Sequence, residues 1–179
     1  MYRIFIIVFF AVFTCHVAYA QQRTAAASAM LQLTGLTFDG KEVTAQSQEM
    51  VILYEPGVAK GELSIQSLSS SDGSLDDLFR NSPDSKVLFI ITIPEGKFAF
   101  GSTLEEEFDA RGSITAGEVS SEFDIKFVVS HNKTEDQNTF LVMGQGRLSL
   151  SGHFNLSDTL GLQDSFTFIF TQNLKVFTP

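Results

Sequence analysis

The chain has no tryptophan and a single cysteine, Cys15, in 179 residues. That cysteine falls in an N-terminal leader, so the remainder has none. This excludes a disulfide framework, a thiolate metal site and a cysteine nucleophile. Tyrosine is nearly as scarce, with Tyr54 the only one beyond the leader. A sugar cleft of Trp or Tyr around paired carboxylates is therefore out of reach. Twelve Lys and Arg stand against 21 Asp and Glu, a net charge of −9 with no basic cluster, which argues against nucleic acid or an anionic membrane surface as partner. No apolar run reaches the roughly 20 residues that cross a bilayer, and no internal repeat is present.

What is present in excess is phenylalanine, at 18 residues. Residues 1–20 read as a signal peptide: one cation, Arg3, then an unbroken apolar run over 4–13, then Ala18-Tyr19-Ala20, the small-x-small pattern that signal peptidase admits. A rival reading makes Val12-Phe13-Thr14-Cys15 a degenerate lipobox with Cys15 acylated, although Thr14 is larger than the residue usual there. Either route exports the protein, with the periplasm or cell envelope as its expected location. Residues 21–29 are small and polar and are expected to be flexible, leaving residues 30–179 as one domain.

Beyond residue 30 the hydrophobic period is two. Val119, Phe123, Ile125, Phe127 and Val129 alternate with Glu122, Asp124 and Lys126, a strand with one dry and one wet face. The same rule gives Phe98 with Phe100, Phe108 with Ala110, Gly112 and Ile114, Leu148 with Leu150, Gly152, Phe154 and Leu156, and Phe166 with Phe168 and Phe170. Residues 87–93 are apolar nearly throughout, which predicts cover on both faces, or cover of one by a local element. Less sharp strands are expected over 31–38, 43–48, 50–54 and 61–68. Turns are expected at Phe38-Asp39-Gly40, Glu55-Pro56-Gly57, Pro94-Glu95-Gly96 and His131-Asn132-Lys133. One segment departs from the β habit: Ser74-Leu75-Asp76-Asp77-Leu78-Phe79-Arg80, with Ser74 as N-cap, reads as a helix of two turns that turns Leu75, Leu78 and Phe79 inward.

Eight or nine strands and one short helix make an antiparallel all-β domain, barrel or sandwich. A barrel of about eight strands is just wide enough to be filled by side chains or to hold one small ligand. The inward residues Phe89, Phe98, Phe100, Phe108, Phe123, Phe127, Phe154, Phe166, Phe168 and Phe170 are the candidate apolar lining. Rigid rings beside small residues leave an elongated gap suited to a hydrocarbon chain, or else the small residues make room for the rings and the core is solid. No catalytic or metal-binding set stands out. His131 and His153 lack a defined serine and acid, Glu105-Glu106-Glu107 reads as a solvated bend, and Gly144-Gln145-Gly146 reads as a turn or bulge.

Taken in order, several segments resemble the YceI-like family of exported lipocalin-like proteins. They are the strand Glu62-Leu63-Ser64-Ile65-Gln66-Ser67-Leu68, the helix at Leu75-Asp76-Asp77-Leu78-Phe79-Arg80, and the apolar strand 87–93. Gly112-Ser113-Ile114-Thr115 matches the family's G-x-L-T strand, and the chain closes on the strand carrying Phe166, Phe168 and Phe170. Where the family has Arg-Ser-Asp-Phe-Gly, this chain has Leu156-Ser157-Asp158-Thr159-Leu160-Gly161. Where the family opens on S-x-V-x-F-x-V-x-H, it has Leu33-Thr34-Gly35-Leu36-Thr37-Phe38. The resemblance implies an antiparallel eight-stranded lipocalin-like barrel that binds an isoprenoid or fatty-acyl lipid, with no cofactor and no catalysis. The alternative from the residues alone is a structural or protein-interaction domain with a filled core, and homodimerisation is left open.

Overall fold

A computed structural model describes residues 24–25, 28–82, 86–97, 105–133, 138–149 and 161–176. The elements are β1 (Thr24–Ala25), β2 (Ala29–Leu36), β3 (Glu42–Glu55), β4 (Val58–Ser64), β5 (Ser69–Ser70), helix α1 (Gly73–Arg80), β6 (Lys86–Thr92), β7 (Glu105–Ala116), β8 (Val119–Lys133), β9 (Asn138–Ser149) and β10 (Ser165–Val176). Eight of the strands follow one another around the ring β2-β3-β4-β6-β7-β8-β9-β10, and β10 pairs with both β9 and β2. Every pairing is antiparallel, so the sheet closes as an up-and-down barrel. Closure leaves the long strands without a free edge.

The alternation expected from the sequence sets the inside and the outside. Along β7, Phe108, Ala110, Gly112 and Ile114 are buried; along β8, Phe123, Ile125, Phe127 and Val129; along β10, Phe166, Phe168, Phe170, Gln172 and Leu174. Between β7 and β8, Ala116 pairs with Val119 across a two-residue turn, in which Gly117 takes a left-handed conformation (φ 59°) that other residues adopt only at a cost.

Several local expectations are corrected. Residues 43–48 and 50–54 are not two strands but the two halves of β3. Ala29 faces Met50 while Leu31 faces Ser47, so β3 carries one residue more than β2 across that step, a β-bulge. The Ser47 hydroxyl accepts the Glu49 backbone N–H at 3.1 Å within the bulge. The inward set accordingly moves from Val43, Ala45 and Ser47 to Met50 and Ile52. Strand β4 ends at Ser64 instead of running to residue 68, because Ile65–Ser67 form a single 3-10 turn. His131, Asn132 and Lys133 lie within β8 rather than in a turn, paired to Phe140, Thr139 and Asn138. Pairing also starts ahead of residue 30: Thr24 and Ala25 face Val176 and Lys175, and Ala29 is fully buried.

Helix α1 lies in the connection from β4 to β6. Its N-cap is Asp72, not Ser74, since the Asp72 carboxylate accepts the N–H groups of Ser74 and Leu75 at 3.1 and 3.2 Å. Asp76 accepts the Ser70 N–H at 3.1 Å and pairs with Arg80 at 2.8 Å, tying the helix to β5. Leu75 and Phe79 are buried, and Leu78 packs half-buried against the core. The expectation that residues 87–93 are covered on both faces fails. Val87, Phe89, Ile91 and Ile93 point in, while Leu88 and Ile90 stand on the outer face about half exposed (45% and 50%).

Candidate functional site

The candidate site is the barrel interior, and the chain lines it unevenly. Phe89, Phe108, Phe123, Phe127, Phe166, Phe168 and Phe170 are all buried in one continuous core, on the strands from β6 to β10. Phe98, Phe100 and Phe154 lie outside the described residues. The facing strands β2 to β4 contribute Leu31, Leu33, Met50, Ile52 and Leu63 and no phenyl ring. One wall of the interior is therefore aromatic and the other aliphatic. Among the described residues the buried polar or charged side chains are Ser47 and Gln172, so no buried charge interrupts either wall.

The rings are seated by glycines. A β-carbon placed on Gly112 would fall 2.5 Å from Phe123 Cζ; one on Gly144 would fall 2.6 Å from Phe170 Cζ; one on Gly146 would fall 2.8 Å from Phe168 Cε1 and Cζ; and one on Gly35 would fall 2.8 Å from Phe166 Cδ1. In three of these cases the ring and the glycine are direct cross-strand partners: Phe123 with Gly112, Phe168 with Gly146, Phe170 with Gly144. Each ring thus lies down over the neighbouring strand in space that any side chain there would occupy. Rings two strands apart then meet over the glycine strand: Phe123 and Phe168 across β9 at 5.3 Å, Phe127 and Phe170 at 5.8 Å, both edge-to-face. Phe108 stacks on Phe127 at 5.1 Å. The Gly144-Gln145-Gly146 segment is therefore strand interior, not a turn or bulge, and its glycines exist for the rings.

Sequence reasoning missed one ring in this set. Phe140 is buried on β9, and His131 of β8 stacks on it nearly parallel, with centroids 4.3 Å apart. Reading residues 140–148 as one strand would have shown it: Phe140, Val142, Gly144, Gly146 and Leu148 share one face. The stacked imidazole belongs to the barrel lining. His153 lies outside the described residues, and among the described residues no three His, Cys, Asp or Glu side chains are grouped to hold a metal ion.

Two buried polar groups lie on β10 and on β3 beyond the bulge. Gln172 donates from Nε2 to the Ile52 carbonyl at 3.2 Å, joining β10 to the part of β3 beyond the bulge. Tyr54, two residues further along β3, has its hydroxyl buried, and burial holds its phenol pKa well above the ordinary value. Ionisation is open to the unfolded chain from about pH 10 but resisted in the fold, so stability is unaffected at lower pH and falls as pH rises past that point. Phenolate absorbance should lag a free tyrosine until the chain unfolds, and Tyr54→Phe should make the barrel measurably more resistant to alkali. Identical alkaline unfolding curves for the two proteins would refute this.

A concavity of about 730 Å³ is open to solvent on the outer face and is lined by Thr92, Asp109, Arg111, Asp124, Lys126 and Gln145 among others. Its charges compensate one another. Arg111 pairs with Asp124 at 3.4 Å, and Lys126 pairs with Glu107, whose carboxylate raises the Lys126 pKa. Glu105, Glu106 and Glu107 belong to β7 rather than to a bend, with Glu106 3.3 Å from Lys97.

No protein-family model and no curated protein sequence matches the chain. Solved structures do. A polyisoprenoid binding domain from Saccharophagus degradans, implicated in plant cell wall breakdown, superposes with a TM-score of 0.66 over 87% of this chain and 99% of its own, at 9% identity. BcnA from Burkholderia cenocepacia does so with a TM-score of 0.57 over 81% of this chain and 95% of its own, at 12% identity. At such identities the likeness is one of fold.

Proposed function

We propose that the protein is an exported, soluble, non-catalytic member of the YceI-like group that sequesters or carries one apolar chain, an isoprenoid or fatty-acyl lipid, inside its barrel. The observation that carries this reading is the paving of the interior. The rings lie along the wall over glycines, facing an aliphatic wall, with no buried charge among the described residues. A lining of that kind suits a hydrocarbon chain. The fold shared with a polyisoprenoid binding domain supports the same ligand class. Export rests on the leader at residues 1–20, with the periplasm or cell envelope as the place of action.

A second reading, a structural or interaction domain with a filled core, draws on the same rings, since edge-to-face contacts at 5.3 and 5.8 Å pack them against one another. Native mass spectrometry of protein purified from its own compartment separates the two. Carriage predicts a co-purifying amphiphile at one per chain and, after delipidation, saturable uptake of cis-parinaric acid with the same stoichiometry. Absence of both leaves the filled core.

A further inference from the structure

Strands β3, β4 and β6 lie side by side, and four aliphatic side chains stand exposed on their outer face. Val51 and Leu53 on β3 and Leu88 and Ile90 on β6 are 42%, 49%, 45% and 50% exposed. Between them β4 presents Lys60 and Glu62. The register aligns them in two rows: Val51, Glu62 and Leu88 in one, Leu53, Lys60 and Ile90 in the other. Four aliphatic side chains thus frame a central pair of opposite charges two residues apart on one strand. Lys60 pairs with Glu55 at 2.8 Å and Glu62 with Lys86 at 2.5 Å, with all four side chains substantially exposed.

We propose that this face is the docking surface for a second copy of the chain. The symmetry is a twofold axis lying in the face and running perpendicular to the strands. This does not depend on what the barrel carries.

The arrangement of charge selects the partner and the axis. A twofold axis perpendicular to the strands exchanges the two rows, so Lys60 meets the partner's Glu62 and Glu62 meets the partner's Lys60. Val51 then meets the partner's Leu53, and Leu88 the partner's Ile90. A twofold axis along the strands would instead set Lys60 on Lys60 and Glu62 on Glu62 in the middle of the contact, where repulsion is strongest. The perpendicular axis also turns Glu55 toward the partner's Glu49, but both are exposed at the margin of the face, where screening weakens their repulsion. The apolar part of the face is four side chains, so the dimer is a weak one that forms at high concentration.

Sedimentation equilibrium of the protein, from low micromolar to millimolar concentration, tests this. A reversible monomer–dimer equilibrium is expected. Leu53→Glu or Ile90→Glu should abolish the dimer. Lys60→Glu or Glu62→Lys alone should weaken it about tenfold, and the two together should restore it, because the exchanged charges meet again. All four positions are exposed, so thermal unfolding should report an intact fold in each variant. Monomer at every concentration overturns the proposal, as does a dimer indifferent to Leu53→Glu and Ile90→Glu. A double charge exchange no better than either single one overturns it as well.

Discussion

Gly146→Ala is expected to destabilise the barrel more than the same change at any other described glycine of the interior. The added methyl falls well inside contact distance of the Asp124 carbonyl oxygen as well as 2.8 Å from two atoms of the Phe168 ring. A ring can turn aside, but the carbonyl belongs to the β8 backbone, whose Ile125 is paired with Gly146. Relief therefore requires the two strands to separate. Overpacking of a close-packed interior costs about 1–3 kcal/mol and sometimes more, and a clash with backbone belongs at the upper end. Set against a domain stability of about 5–15 kcal/mol, that is a large fraction. Urea denaturation measures it, with Gly61→Ala as the control. There the new methyl meets Met50 Cε at 3.3 Å and Phe89 Cβ at 3.4 Å, and the end of a methionine yields easily, so the cost should stay below about 1 kcal/mol. Equal midpoints for the two variants would show that β8 and β9 do not approach as described.

Phe127→Ala should cost about 3–5 kcal/mol, the usual loss for removing a buried ring. Phe127 is fully buried and joins two neighbours, Phe108 stacked at 5.1 Å and Phe170 edge-on at 5.8 Å, so its loss leaves a void and two rings without their partner. Phe38→Ala is the contrast. Phe38 is 67% exposed in the β2–β3 turn, and its removal should be close to neutral. If the two variants unfold at similar denaturant concentrations, Phe127 does not face the interior and the aromatic wall is wrongly drawn.

How much of this was legible in the sequence depends on how cleanly the period of two survives. Strands β7, β8 and β10 keep it over residues 108–114, 123–129 and 166–170, with the expected face inward, whereas Val119, expected inward, is exposed at the start of β8. In β9 two glycines interrupt the apolar run, and the segment passed for a turn, because a glycine placed to receive a ring leaves no apolar signal of its own. Strand β3 was divided because its bulge shifts the phase, which alternation alone reports as an ending. The helix was found, but its start was misplaced by two residues: Ser74 and Asp72 are both good caps, and only the bonds to Ser74 and Leu75 decide between them. Residues 87–93 misled for a different reason. Apolar alternation on both faces implies cover on both, and within one chain the outer face has none.

The chosen lining residues show the same limits. The seven of the ten that fall among the described residues lie buried together, as period two requires. What the sequence does not contain is their arrangement. Which ring covers which glycine follows from register between strands, and register is fixed by turns and bulges rather than by composition.

The ring is completed where β10 meets β2 over five paired positions, Thr167–Thr34 to Thr171–Met30, against twelve between β9 and β10. Those two strands sit at opposite ends of the primary structure, so during synthesis β2 has its own hairpin partner long before its other neighbour exists. Until the final dozen residues of the barrel emerge, β2 presents an open row of amide and carbonyl groups. Any factor that holds the nascent chain apart from its siblings must therefore shield that strand for almost the entire length of translation.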